Sequence, residues 1–477
     1  MKPLNRQTAQ LPNQRPVKVL QFGEGNFLRG YVDWMIDVLN EKTAFNGAVA
    51  VVQPRDRSRR TIEALRQQDG LFHVLLNGIR QGEPTQEKRL ISCIASAQNP
   101  YDGYAAYLAL GENPDLEFIF SNTTEAGIAF DAGDTSIDSI PASFPGKLTA
   151  LLYHRFRHFG GDPAKGLTII PTELIENNGT ALRQIVLQYA KNWQLPQGFA
   201  DWVQAHLAFC NTLVDRIVPG FPKDTIDAVQ QELGYADNLV VTAEPYHLLV
   251  IEAPDAVRQA FPAQEAGLQV KFVDDLTPYR TSKVRILNGA HTTLVPVAYL
   301  HGLRTVQEAV EDEQTGRFIR EAIYSEIVPT LDMPDDELKQ FADDVIERFR
   351  NPFIRHELLS ISLNSISKYK VRVLPSVLAY AARKGRLPEH LLQALAALIL
   401  FYKGTWRGKR IPLNDAPEVL AFFEQAWQQG DAEAVVTATL ANTALWDTDL
   451  TQVAGMAEAV TAHLRQLQQT EATISAK

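Results

Sequence analysis

Val17-Lys18-Val19-Leu20-Gln21-Phe22 runs straight into Gly23-Glu24-Gly25-Asn26-Phe27-Leu28-Arg29-Gly30, and the reading of this stretch decides the fold. The first six residues have strand character, and the apolar residues after the glycines (Tyr31, Trp34, Met35, Val38, Leu39) recur at helical spacing. A strand, a glycine turn and a helix start together form an anion site. Glycine lets the backbone approach a pyrophosphate, and the helix N-terminus supplies unpaired N–H groups and the positive end of its dipole. Leu28 stands where a full G-x-G-x-x-G would place its third glycine. A tight strand–helix turn without a ligand is the alternative.

Outward from this turn the pattern alternates. Strand-like runs at 48–53, 116–121, 167–171 and 268–273 are separated by helical stretches such as 27–40 and 181–192. Such alternation implies crossover connections and a mainly parallel sheet. From about residue 281 strand character gives way to helical spacing, over 338–350, 375–383 and 391–402. The expected architecture is α/β, with a Rossmann-type N-terminal domain over 1–276 and a mostly α-helical C-terminal domain over 277–477. The boundary falls in 274–282, no internal repeat is evident, and the polar stretch 466–477 reads as a fraying end.

A chain of 477 residues suits two domains. Its 45% hydrophobic and 21% charged residues match an ordinary globular protein. Lys+Arg 46 against Asp+Glu 56 gives a net charge of -10, which argues against a general nucleic-acid binder, since that needs a positive field to displace counterions. An anionic small substrate would require a local cluster of cations. Cys93 and Cys210 are the only cysteines and lie far apart, so neither a disulfide framework nor a Cys-rich zinc site can be built, and a reducing cytoplasm fits. The first sixteen residues lack the apolar middle of a signal peptide. The longest apolar run, 394–402, is far short of the roughly 20 residues that span a bilayer and reads as a buried helix. These features lead us to expect a soluble, cytoplasmic protein with a small-molecule partner and no membrane or nucleic-acid partner.

Three further segments offer chemistry. The second strand runs out in Gln53-Pro54-Arg55-Asp56, with the acid that would meet an adenosine ribose missing at its tip, and Arg55 could greet a 2′-phosphate, so the strand tip leaves NAD against NADP open. Ser121-Asn122-Thr123-Thr124 follows the third strand, where small hydroxyls and an amide fit a nicotinamide-side loop or a plain polar turn. Ser282 to Leu294 reads as a helix with Ser282 near its N-cap. Asn288 and His291 share one face of it, while Lys283 lies about 7.5 Å below Asn288 and about 140° away in phase, so α-helical spacing does not make them converge. Gly289 removes bulk beside Asn288, which would admit a ligand. Lys, Asn and His suit carbinol oxidation and ketone reduction: the amine exchanges the hydroxyl proton, the amide donates to the oxyanion, and the imidazole orients the substrate or relays a proton. A solvated Lys, a packed Asn and a core-edge His form the structural alternative. The loop Thr172–Thr180 holds Asn177-Asn178-Gly179, which a turn alone explains, and Asp215-Arg216 could be a simple ion pair.

The stretches QFGEGNFLRGYVDWMID (21–37), FSNTTEAGI (120–128), IIPTELIENNG (169–179), TLVDRIVPG (212–220), ILNGAHTTLVPVA (286–298), RFRNPFIRHELLSISLNS (348–365) and WDTDLTQVAG (446–455) run through nearly the whole chain. Together they resemble the polyol-specific long-chain dehydrogenases of the mannitol dehydrogenase group. The resemblance implies a Rossmann domain and a helical domain with the site in the cleft between them, NAD as cofactor, and no metal. The group's G-x-G-x-F-x-R pattern accounts for Leu28. It maps Gly23, Gly25, Asn26, Phe27 and Arg29 to the cofactor, with Phe22, Asn122, Thr123 and Asp215 counted beside them. Its K-x4-N-x2-H motif falls on Lys283, Asn288 and His291, with Lys283 as general acid/base. A second oxyanion amide is assigned to Asn178, with Asn177 the rival, because Glu173-Leu174 replaces an Asp-Asn signature of the mannitol enzymes. Among members that act on keto sugar acids a cation must hold the substrate carboxylate. Arg355, His356, Lys368, Lys370 and Arg372 are available for this, and Lys368 with Arg372, four apart, are selected. A solvated basic face is the alternative there. A nucleotide-binding sensor or scaffold without turnover is the alternative of another class, and the complete Lys283–Asn288–His291 set argues against it.

Overall fold

The computed structural model describes residues 1–11, 15–428 and 431–475. The chain divides into two compact units. One holds Met1–Asn77 with Thr85–Leu276, and the other holds Gly78–Pro84 with Thr277–Lys477.

The first unit is built on a six-stranded parallel sheet. Its strands are β1 Val17–Phe22, β2 Ala48–Val52, β3 Ile94–Gln98, β4 Phe118–Ser121, β5 Thr168–Pro171 and β6 Ala208–Phe209. They lie in the order β3-β2-β1-β4-β5-β6, and every pair is parallel. This is the order of a Rossmann sheet, in which the chain switches direction at β1/β4 and leaves a crevice at the carboxyl ends of those strands. Alternate side chains build two cores: Val19, Val49, Val51, Phe118 and Phe120 enter one, and Leu20, Phe22, Ala50, Val52 and Ile119 the other. Both faces are covered, so these strands read as nearly continuous apolar runs.

Three smaller sheets accompany the parallel one, the smallest being Lys2–Pro3 paired in parallel with Tyr235–Ala236. The run at 268–273 does not join the parallel sheet. It forms Val270–Val273 beside Leu248–Glu252, which pairs antiparallel with Asn211–Asp215. A hairpin of Phe72–Arg80 and Glu83–Ile91 carries Val241–Ala243 on its flank. Gln81 and Gly82 both have positive φ (55° and 82°), the twist that two-residue hairpin turns favour.

Among the described residues the second unit is helical apart from the hairpin tip within Gly78–Pro84 and a two-residue ladder, Thr405–Trp406 with Lys409–Arg410. At its centre Glu389–Phe401 is buried nearly all round, and the apolar side chains of surrounding helices close on it. The last helix, Met456–Ser475, continues through most of the polar stretch expected to fray, while Ala476 and Lys477 lie outside the described residues. Among the described residues no helix is long and apolar enough to cross a membrane, and no group of three or more His, Cys, Asp or Glu is placed to hold a metal ion.

Candidate active site

In the first unit the glycine turn sits at the carboxyl end of β1. Gly23 has φ 128°, and a Cβ there would lie 2.9 Å from Leu28 Cδ1 and 3.0 Å from the Asn122 carbonyl oxygen, so only glycine fits. A Cβ on Gly25 would meet nothing within 4 Å, so the turn is open on that side. The helix begins at Asn26, passes through a π-turn over Arg29–Asp33 and continues as Trp34–Lys42. An open glycine turn followed by a helix N-terminus is the donor set a pyrophosphate requires. The close-packing role of a third glycine falls to Gly30, whose Cβ would press on Val241 Cγ1 at 2.9 Å and Val218 Cγ1 at 3.1 Å. Leu28, buried, packs against Gly23 instead.

The residues mapped to the cofactor divide by what they touch. Arg29 is buried, and its guanidinium donates to the Glu24 carbonyl (3.2 Å), to Asn26 Oδ1 (2.7 Å) and to the Leu239 carbonyl. Burial pushes its pKa down to about 10, so it stays charged and pins the turn from beneath. Phe22 is a core side chain, 5.0 Å from Phe144 by ring centroid, and can meet a ligand only through its backbone. Phe27 stacks on Tyr31 at 4.9 Å, and Asn26 is exposed. Asp215 is buried at the end of its strand. Arg216 beside it donates to the carbonyls of Gly30 (2.9 Å) and Glu244 (2.8 Å) and lies 4.2 Å over the Trp34 ring.

At the tip of β4, Asn122 donates to the Thr172 carbonyl at 2.9 Å and Thr123 is held through its N–H and hydroxyl by Glu173 Oε1, each at 2.9 Å. Ser121 donates to the other oxygen, Oε2, at 2.9 Å. Glu173 is thus a buried carboxylate tying the tips of β4 and β5. Burial raises its pKa, and the bonds from Thr123 and Ser121 oppose that. On the far side of the loop Arg55 donates to the Thr123 carbonyl and the Thr124 hydroxyl, and Thr124 sits at φ 92°, a conformation few non-glycine residues adopt.

Asn178 is not available as an oxyanion donor. Its Nδ2 donates to the Pro171 and Glu173 carbonyls and to the Thr212 hydroxyl, and its Oδ1 accepts from the Gly179 and Thr212 N–H groups, at 2.9–3.1 Å. The side chain welds the loop after β5 to the strand Asn211–Asp215. Asn177, in the left-handed region at φ 51°, is the exposed amide of the pair. Asn178→Ala is therefore expected to destabilise the first unit by about 2–4 kcal/mol, because buried donors and acceptors lose their partners. Asn177→Gly should leave thermal unfolding unchanged, and calorimetry on both variants checks the contrast.

In the second unit the helix carrying Lys283 begins earlier than the sequence suggested. Thr277–Ser282 runs on through a π-helix over Lys283–Asn288 into Gly289–His301, so Ser282 is an interior helical residue rather than an N-cap. The π-turn changes the phase argument. Hydrogen bonds close over five residues, which winds the helix more loosely and brings Lys283 and Asn288 much closer in phase than the about 140° of an α-helix. Both are half-buried. Gly289 is corrected as well: a Cβ there would lie 3.2 Å from the Arg372 carbonyl oxygen, so this glycine admits the helix Ser365–Arg372, not a ligand. Arg285 fastens the same junction by donating to the Val371 carbonyl at 2.7 Å.

That junction brings His291, Lys368 and Arg372 together. His291 stacks on Phe349 (4.1 Å) and meets the edge of His356 (5.0 Å), and its Nε2 is buried without a hydrogen-bond partner. Burial drives its pKa well down, helped by the charges of His356, Arg348, Arg372 and Lys368, so the ring is neutral. Lys368 donates to the Ile361 carbonyl at 2.8 Å, and burial and then the charge of Arg372 lower its pKa. Neither Lys368 nor Arg372 forms an ion pair with a carboxylate among the described residues. Arg355 and Lys370 are engaged elsewhere, on Glu357 and Asp447. Arg348, at the end of the helix Asp335–Phe349, joins the cluster without having been picked out in the sequence, because its relation to His291 is purely tertiary.

Residues 17–264 match the family model of the mannitol dehydrogenase Rossmann domain, and residues 275–468 match that of the mannitol dehydrogenase C-terminal domain. The chain belongs to the mannitol dehydrogenase family. Among curated relatives, an altronate oxidoreductase of Bacillus subtilis is 49% identical over 98% of this chain and 96% of its own length. One of Bacteroides thetaiotaomicron is 47% identical over 98% of each. Among solved structures, a substrate-free D-sorbitol dehydrogenase superposes with TM-score 0.81 at 20% identity, covering 99% of both chains. The Pseudomonas fluorescens mannitol 2-dehydrogenase in ternary complex with NAD and D-mannitol gives 0.66 at 23% identity, covering 100% of this chain and 98% of the other. At these identities the two structures bear on the fold alone, and they share the two-part architecture of the mannitol dehydrogenase family.

Proposed function

We propose that this member of the mannitol dehydrogenase family is an NAD-dependent oxidoreductase that reduces D-tagaturonate to D-altronate, reversibly in the test tube, in hexuronate breakdown. The observation that carries the substrate choice is the cationic cluster of Lys368 and Arg372 on the helix that packs against Gly289: among the described residues neither forms an ion pair, and Asp415 acts on Lys368 only at longer range. A ketose with a carboxylate at its far end supplies the missing anion, and the guanidinium of Arg372 offers it a planar fork. The altronate oxidoreductases at 47–49% identity support the same reading.

In this proposal the glycine turn at Gly23–Gly25 and the helix N-terminus at Asn26 hold the dinucleotide, and Asn122 and Thr123, braced by Glu173, frame its nicotinamide side. The nicotinamide, when bound, supplies the hydride to the ketone carbon next to the terminal hydroxymethyl. Lys283, as ammonium, gives its proton to the oxygen of that carbon and takes it back in the reverse direction. Asn288, brought closer in phase to Lys283 by the π-turn, donates a hydrogen bond to the same oxygen as charge develops on it. Neutral His291 accepts from or donates to a substrate hydroxyl and thereby sets the sugar's orientation.

Side-by-side kcat/KM values on tagaturonate, fructuronate and fructose with NADH test the assignment. Tagaturonate is expected to lead. A lead for fructuronate would move the assignment to the sister uronate reductase. A lead for fructose would place the chain with the polyol 2-dehydrogenases and remove the carboxylate grip.

A further inference from the structure

Deepening the cofactor half of the proposed function, and resting on it, we propose that Glu24 is the acid that selects NAD over its 2′-phosphorylated counterpart. In Rossmann sheets the acid that meets the adenosine ribose comes from the tip of the second strand. Here that tip ends in Gln53, which is buried with its amide fully engaged. Its Nε2 donates to Glu24 Oε1 (2.9 Å) and to the Ser58 carbonyl (3.0 Å), and its Oε1 accepts from Asn99 (2.7 Å). Gln53 therefore has nothing left for a ribose, but its hold on Glu24 delivers a carboxylate to the same strand tip from the glycine turn.

The geometry leaves that carboxylate half used. Arg57 Nη2 meets the same oxygen, Oε1, at 3.0 Å, and Oε2 has no hydrogen-bond partner among the described residues. Glu24 stands between Gly23 and Gly25, so it links the pyrophosphate cradle to the tip of β2, where the ribose lies in this fold. Three of the arginines that follow the strand tip are already committed. Arg55 donates to the Thr123 carbonyl and the Thr124 hydroxyl, Arg57 to Glu24, and Arg59 to Asp56 and Asp102. A 2′-hydroxyl can donate to Oε2, whereas a 2′-phosphate would face a carboxylate and find the guanidiniums of Arg55, Arg57 and Arg59 engaged. Like charges at contact distance in a partly buried site cost enough to shift a binding preference by about one to two powers of ten.

Dissociation constants of NADH and NADPH for the full-length protein, read by fluorescence without any sugar present, test the assignment beside kcat/KM for both cofactors. Glu24→Gln keeps the size and the acceptor for Gln53 but removes the charge, and is expected to move the NADPH/NADH preference at least about tenfold toward NADPH. Adding Arg57→Ala should cancel much of that gain, since the released guanidinium is what would greet the phosphate. A readout on the unaltered protein stands independently of how the variants fold: ADP is expected to compete with NADH at least about tenfold better than 2′,5′-ADP. An unchanged preference in folded Glu24→Gln overturns the assignment, as does equal competition by the two nucleotides. Wild-type protein that binds neither NADH nor NADPH would instead overturn the functional reading itself, and this assignment with it.

Discussion

Lys283→Ala should lower kcat for tagaturonate reduction by about two to four powers of ten, the range for a lost general acid/base, while the Kd for NADH stays unchanged. The separation follows from where the lysine sits. It opens the π-helix of the second unit, and the glycine turn that would hold the cofactor belongs to the first. Asn288 stays in place above the vacated position, since the backbone hydrogen bonds of the helix do not depend on the lysine side chain. Some stabilisation of the oxyanion therefore survives and sets a floor to the loss. Pre-steady-state reduction under saturating NADH and tagaturonate reads the chemical step directly. A variant that turns over near the wild-type rate would remove Lys283 from the proton transfer.

Arg372→Ala should lower kcat/KM for tagaturonate by roughly two to three powers of ten, because truncating one partner of a desolvated charge pair costs about 2–5 kcal/mol. The loss should fall on the sugar acid and spare a neutral ketose such as fructose, which has no carboxylate to meet the guanidinium. Lys368→Met should act in the same direction but less strongly, since that ammonium keeps a bond to the Ile361 carbonyl and meets an anion as a point charge rather than a fork. Arg372 also contributes its backbone carbonyl to the contact with Gly289, which the alanine variant retains. A Tm close to wild type would show that the lost activity reflects the missing guanidinium and not a disturbed junction. Equal losses on tagaturonate and fructose would argue against a carboxylate grip.

Much of the fold was legible because its signals are local. The apolar run at 17–22, the glycines after it and the helical spacing beyond follow from strand, turn and helix physics that a short window contains. The same holds for 48–53, 116–121 and 167–171, which the sheet buries on both faces. The hairpin Phe72–Ile91 was not legible, because its second strand is rich in Glu, Gln, Lys and Arg and carries little apolar alternation. The run at 268–273 has the composition of a buried strand, and nothing in it says which sheet it joins.

In the candidate site, residue identity was easier to read than geometry. Lys283, Asn288 and His291 are visible as a motif, but a helix read at 3.6 residues per turn puts the first two on different faces, and the π-turn that corrects this has no signature in the sequence. Asn178 and Asn177 are neighbours of one residue type, and only tertiary hydrogen bonds to Pro171, Glu173 and Thr212 separate the structural amide from the exposed one. The bracing role of Glu173 was hidden for a similar reason: a buried charge is recognised by its partners, and Ser121 and Thr123 lie far along the chain. The sequence shows no acid at Gln53, and the contact that brings Glu24 to that strand tip is a tertiary one, a glutamine amide reaching across to the glycine turn.

The central claim is that Lys283 exchanges a proton with the reacting oxygen while Arg372 and Lys368 hold the far carboxylate. A crystal structure of the protein with NAD and altronate tests both halves at once. The expected result places Lys283 Nζ and Asn288 Nδ2 within about 3 Å of the same hydroxyl oxygen, with the carboxylate seated on the Arg372 guanidinium. A complex in which Lys283 points to solvent and the carboxylate lies away from Arg372 would contradict the account.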